Sequence, residues 1–195
     1  MVEELARKDS VLRKLINTYG ILELESRPND LVFNSLCRSI IAQQLSNIVA
    51  KKLISKFEDL FGVPCDLGEI NECHTDDLKK IGISLNKAKT IKQLANLILS
   101  DSLETNKIHL LDNGEIIDIL TSVKGVGVWT AKMFLIFHVG RENVFPIEDK
   151  AFSLEIEKLY GSLNNTEQLD LNWSPHQSIA ALYLWRNRDE KLISS

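Results

Sequence analysis

Apolar residues recur every three to four positions along almost the whole chain, and no stretch sustains an alternation of apolar and polar residues. The first pattern is one face of an α-helix, whereas alternation would mark a strand. Segments 10–20, 29–44, 46–62, 75–82, 85–100, 114–123, 127–140, 148–161 and 174–188 carry the helical spacing. Their ends have the expected chemistry. Ser10 and Gly20 bracket the first, Ser46 and Gly62 the third, and Ser174–Pro175 supplies an N-cap and first helical residue for the last. Proline-bearing stretches around 28, 64 and 146 read as loops. The pattern predicts an all-α protein of nine or ten short helices, without repeats or a long linker.

Composition narrows the class. A chain of 195 residues, 44% hydrophobic and 26% charged, fits one domain over 1–195 or two helical lobes that share a core. The N-terminal "MVEELARKDS" lacks the apolar core of a signal peptide, and apolar runs such as "MFLIF" are far too short to span a bilayer. The expectation is a soluble intracellular protein with no membrane partner. Cys37, Cys65 and Cys73 form no even framework and no C-x-x-C pair. The histidines at 74, 109, 138 and 176 never fall four apart, which argues against a zinc enzyme. A net charge of −4 gives no global signal for nucleic acid but leaves room for local basic patches.

The stretch "KGVGVWTAKMFLIF" at 124–137 raises a sharper question. Residues 114–140 read as helix, tight turn, helix. Glycine takes a positive φ without penalty and lets another backbone approach closely. A helix that begins after Gly127 points unpaired N–H groups at the turn, where they and the helix dipole favour an anion such as a DNA phosphate. A dinucleotide fingerprint would need a preceding strand and a glycine at Thr130, and a P-loop would need Gly-Lys-Ser/Thr; both are missing. A plain glycine corner between two packed helices is the competing explanation.

Five blocks in order decide between them: "RSIIAQQLS" (38–46), "GISLNKAKTIKQLA" (82–95), "GVGVWTA", "FPIEDKA" and "WSPHQSIAALYLWR" (173–186). Together they resemble the helix-hairpin-helix DNA glycosylase superfamily, and within it the alkylpurine or 3-methyladenine DNA glycosylase branch. The resemblance runs from about residue 30 to 188. It implies two helical lobes with a DNA-facing cleft between them, and a base-excision-repair enzyme. Such an enzyme flips alkylated purines (3-methyladenine, 7-methylguanine) out of double-stranded DNA and hydrolyses their N-glycosidic bond. A non-catalytic helix-hairpin-helix DNA-binding module and a glycosylase for another damaged base are the alternatives.

The resemblance also assigns roles. Asp149 matches the catalytic aspartate, with Glu148 as its neighbour and competitor. A helix of about 18 Å leads away from the hairpin, and the loop 140–147 can return up to about 26 Å. Asp149 is therefore expected beside Trp129, at the start of a helix whose dipole favours a negative side chain. Trp129, Trp185 and Met133 are expected to line the base pocket, and Trp173 to pack. Gln44 aligns with the side chain that plugs the gap left by the flipped base, with Ser46 beside it and Gln43 bonded internally. Lys124, Gly125, Val126, Gly127 and Thr130 are expected on the DNA backbone, with Lys87, Lys89 and Lys132 as further phosphate candidates. Lys124 stands where the family commonly has proline. Carbonyls of Thr121, Val123 and Val126 would hold a structural Na+ or K+. No required cofactor and no iron–sulfur cluster are expected, since no cysteine follows Cys73. Bifunctional members carry a lysine where this chain has Trp129, so a monofunctional, monomeric enzyme without lyase activity is implied.

Overall fold

The computed structural model describes residues 1–100 and 102–193, with side chains to 190. Twelve α-helices are present among them, and no strand. They form two compact units, one from residues 1–25 and 140–195, the other from 26–139. The first unit joins both ends of the chain.

In the first unit, α1 (Val2–Lys8) and α2 (Ser10–Tyr19) pack with α10 (Lys150–Tyr160), α11 (Thr166–Trp173) and α12 (Gln177–Ile193). Leu12, Phe152, Ile156, Trp173 and Tyr183 are fully buried at its centre. Trp173 is a packing residue, as expected, and its indole N–H donates to Asp9 Oδ2 at 2.9 Å. The other oxygen of Asp9 accepts from the N–H groups of Val11 and Leu12 at 2.8 and 3.0 Å. Asp9 rather than Ser10 therefore caps α2. Burial, and the Asp9 charge beside it, push the Tyr160 hydroxyl far above its ordinary range.

The second unit is arranged around α3 (Val32–Ala42), whose Val32, Phe33, Leu36, Cys37, Ile40 and Ile41 are all buried. It packs against α4 (Asn47–Phe61), α7 (Leu85–Leu99) and α9 (Val128–Phe134). Short α5 (Leu67–Glu72) and α6 (Thr75–Lys80) lie on α7, and α8 (Asn113–Thr121) packs on α9. Asp66 caps α5 through the N–H groups of Gly68 and Glu69. The Cys73–His74 pair belongs to the start of α6, where the His74 N–H donates to Asp77 Oδ2 at 3.2 Å.

Helices α1, α5 and α11 carry no legible period because each spans about two turns, too few to repeat an apolar face. The segment 29–44 divides into a 3₁₀ turn at Asn29–Leu31 and α3, which stops at Ala42. The segment 127–140 stays α-helical only to Phe134 and finishes as a π-helical turn, Leu135–Val139. Ser174 is not an N-cap. It closes α11, the Ser174–Pro175 bond is cis, and α12 begins at Gln177.

Candidate active site

The carboxylate is in the first unit. Asp149 is the N-cap of α10, and its Oδ1 accepts the Phe152 N–H at 2.8 Å. Its own N–H donates to Pro146 O at 2.9 Å, so "FPIED" closes a turn that aims the side chain along the helix start. The same Oδ1 accepts the Trp185 indole N–H at 2.9 Å. Trp185 stands tilted on the buried Phe152, with ring centroids 6.0 Å apart. Beyond the base-pocket face expected of it, Trp185 therefore positions the carboxylate. Glu148 is exposed and occupies no cap.

Trp129 and Met133 come together in the second unit, one turn apart on α9, on a cavity of about 230 Å³. Phe134 and Phe137 extend its aromatic wall, and Arg27, Arg38 and Ser39 supply polar groups. Arg38 is tied to Glu58 at 2.6 Å, which offsets its charge. His138, in the π turn, is fully buried and stacks on Phe134 with centroids 4.7 Å apart. Its Nδ1 meets Ser35 Oγ at 2.9 Å, and its Nε2 is buried without a hydrogen-bond partner. Burial, with the nearby His109 and Arg27 charges, pushes its pKa down to about 4.

The segment that precedes α4 makes a tight turn. Leu45 N–H donates to Ala42 O at 3.1 Å, Gln43 has φ −48° and ψ 127°, and Gln44 has φ 57°. These are the angles of a type II turn, whose third position prefers glycine or asparagine. Gln44 is the one non-glycine residue with positive φ among the described residues, and it is exposed. Holding such a side chain there costs on the order of 1–3 kcal/mol. Gln43 turns inward and donates to Gly125 O at 3.0 Å and Thr130 Oγ1 at 2.9 Å. Ser46, expected beside the plug, is the N-cap of α4 and accepts from Val49 N–H.

The hairpin joins α8 to α9 through a turn closed by Val126 N–H to Val123 O at 3.0 Å. Its two glycines serve different ends. Gly125 has φ 95°, and a Cβ on it would sit 2.2 Å from Thr90 Oγ1, so any other residue would strain the backbone and displace Thr90. Gly127 has an extended backbone, meets nothing within 4 Å, and caps α9. Lys124, Gly125 and Gly127 are exposed, but Val126 and Thr130 are buried at 5% and 1% exposure. Both were expected on the DNA backbone; their side chains turn inward, and the Thr130 hydroxyl accepts from Gln43. Lys87, a phosphate candidate, donates its ammonium protons to Ile41 O and Gln43 O at 2.9 and 2.7 Å. Lys89 remains exposed.

The sequence profile of the family described as HhH-GPD superfamily base excision DNA repair protein matches residues 37–172. That span holds the Gln44 turn, the hairpin and Asp149. The chain belongs to the HhH-GPD superfamily. Within it, the chain is 26% identical to the alkylbase DNA glycosidase-like protein mag2 of Schizosaccharomyces pombe, over 94% of this chain and 91% of that one. It is 28% identical to DNA-3-methyladenine glycosylase 1 of the same yeast, over 90% and 79%. Among solved structures it resembles the Schizosaccharomyces pombe 3-methyladenine DNA glycosylase Mag1 in complex with abasic DNA, with a TM-score of 0.82 at 25% identity over 95% and 94%.

Sequence reasoning missed the roles of Thr90 and His138 in this HhH-GPD chain, and it expected Lys87 on a phosphate rather than on main-chain carbonyls. Lys87 lies in the first turn of an ordinary amphipathic helix and Thr90 three residues further on. Their tertiary partners are main-chain carbonyls 34 to 46 residues away. No sequence pattern marks such a bond. His138 sits in an apolar run, where its burial was legible but its neighbours were not.

Proposed function

We propose that this chain is a base-excision-repair DNA glycosylase that hydrolyses the N-glycosidic bond of alkylated purines in double-stranded DNA, acting as a monomer and without lyase activity. The observation that carries the reading is the Asp149 carboxylate. It is fixed by a helix-start N–H and by an indole N–H, in a chain similar over most of its length to alkylpurine glycosylases.

A base must leave the stack before its bond to the sugar is accessible. An alkylated purine is cationic and departs without strong acid help, while the deoxyribose becomes oxocarbenium-like. A fixed anion stabilises that charge and orients the attacking water. Asp149 suits both roles because its orientation is settled before substrate binds. The Trp129 face suits a cationic base through cation–π attraction, on the order of 1–2 kcal/mol when desolvated. Gln44, exposed on its turn, would fill the vacated gap. Lys124, Gly125 and Gly127 present a lysine and an open helix start to the phosphates. Carbonyls of Thr121, Val123 and Val126 would hold a Na+ or K+, which would add positive charge facing a phosphate. The Val123 carbonyl already takes the Val126 N–H and keeps its second lone pair.

Methylated plasmid DNA tests the reading. The protein should release methylated purines and leave an intact abasic strand, cut only by added alkali. Borohydride should trap no covalent adduct, because Trp129 has no amine to form a Schiff base. Binding without base release would favour a DNA-binding module. An adduct lost on replacing Lys132 or Lys124 would overturn the monofunctional assignment.

A further inference from the structure

Helix α7 lies against both the Gln44 turn and the glycine hairpin of the second unit. Lys87 and Thr90 are three residues apart on it, hence on one face. The Lys87 ammonium donates to Ile41 O at 2.9 Å and Gln43 O at 2.7 Å. These carbonyls close α3 and open the turn that presents Gln44. The Thr90 hydroxyl lies 3.0 Å from both Lys124 O and Asn86 O, sharing its one proton between them, and packs so tightly on Gly125 that a Cβ there would overlap it. Gln43 completes the loop from the other side, bonding Gly125 O and Thr130 Oγ1. The two turns are thus bound to a common helix and to each other through five side-chain hydrogen bonds.

We infer that Lys87 and Thr90 are positioning residues that lock the Gln44 turn and the glycine hairpin into one clamp, so that gap filling and phosphate gripping occur in fixed register. The inference rests on the plug role of Gln44. Three features of the structure favour it. A half-buried ammonium aimed at two carbonyls is turned away from a phosphate, and burial lowers its pKa, a cost met by those bonds. Gln44 holds a backbone conformation that ordinary residues avoid, which needs restraint from outside the turn. The restraint reaches the hairpin through Gln43 and Thr90 rather than through the chain, since 80 residues separate the two turns in sequence.

Fluorescence anisotropy on two duplexes, one undamaged and one with a tetrahydrofuran abasic analogue, tests the clamp across a range of salt. Lys87→Met should reduce the preference for the abasic duplex about tenfold, as expected for losing charge-assisted hydrogen bonds. Affinity for undamaged DNA and the salt dependence should hold. Thr90→Val should reduce the same preference, and Thr90→Ser, which keeps the hydroxyl, should restore it. Equal losses on both duplexes with a salt slope lowered by about one would make Lys87 a phosphate contact and overturn the inference. So would an unchanged preference in Lys87→Met. Should Lys87→Met fail to fold, a wild-type preference in Thr90→Val would decide against the clamp. Gln44→Ala separates the two readings. If it leaves the abasic preference intact, the plug role itself falls. If it abolishes the preference while Lys87→Met and Thr90→Val do not, only the clamp falls.

Discussion

Asp149 combines two duties in one oxygen, since Oδ1 caps α10 and receives the Trp185 indole. An amide can reproduce the cap but not the negative charge. Asp149→Asn should therefore fold and bind abasic DNA nearly as wild type, while single-turnover excision falls on the order of a hundredfold or more. Retained excision in Asp149→Asn together with a dead Glu148→Gln would move the assignment to Glu148. Trp185→Phe should keep the packing on Phe152 and lose the indole donor. Excision should then fall by about tenfold through a carboxylate that is less well held, a loss typical of one hydrogen bond to a charged group.

At the scale of the element, the hairpin separates two glycines that look alike in sequence. Gly125→Ala meets a left-handed backbone and a threonine oxygen 2.2 Å from the new Cβ. It should cost roughly 2–4 kcal/mol, from backbone strain and overpacking together. Gly127→Ala meets neither obstacle and should change stability by about 1 kcal/mol or less, the price of exchanging a cap residue. Urea denaturation of both variants checks the difference. Equal losses would mean that the hairpin turn is not held by Thr90. The Gln44 turn follows the same logic in reverse, because a glutamine sits where the backbone prefers glycine. Local stability is given up there to place a polar side chain.

At the scale of the whole molecule, the buried His138 is expected to make stability sensitive to acid. Its folded pKa of about 4 lies below the ordinary value of 6.5 because burial opposes the charged ring. The unfolded chain binds that proton first. The neutral ring therefore contributes no penalty above about pH 6.5, and stability is lost as pH falls from there toward 4. The span corresponds to about 3 kcal/mol. His138→Phe keeps an aromatic ring on Phe134, and its thermal midpoint should decline less than that of wild type between pH 6.5 and 4. Parallel declines would place the acid sensitivity elsewhere.

Helix type, most boundaries and the placing of Asp149 at a helix start were legible in one dimension. A helix longer than about three turns must repeat its apolar face, and a capping aspartate must sit at its start. The glycine turn and the pairing of Trp129 with Met133 were legible for the same reason, since each is set by residues within one or two turns. Helices α1, α5 and α11 were not, because two turns are too short to show a period and tertiary packing holds them. Nor was the inward turn of Thr130 and Lys87. Exposure and hydrogen-bond partners depend on which helix lies alongside, and their partners come from distant parts of the chain. Local sequence determined the helices and the chemistry they carry. Only the packing of α3, α7 and α9 decided which polar groups hold the site together and which face outward, because a buried donor takes whatever carbonyl the fold brings within about 3 Å.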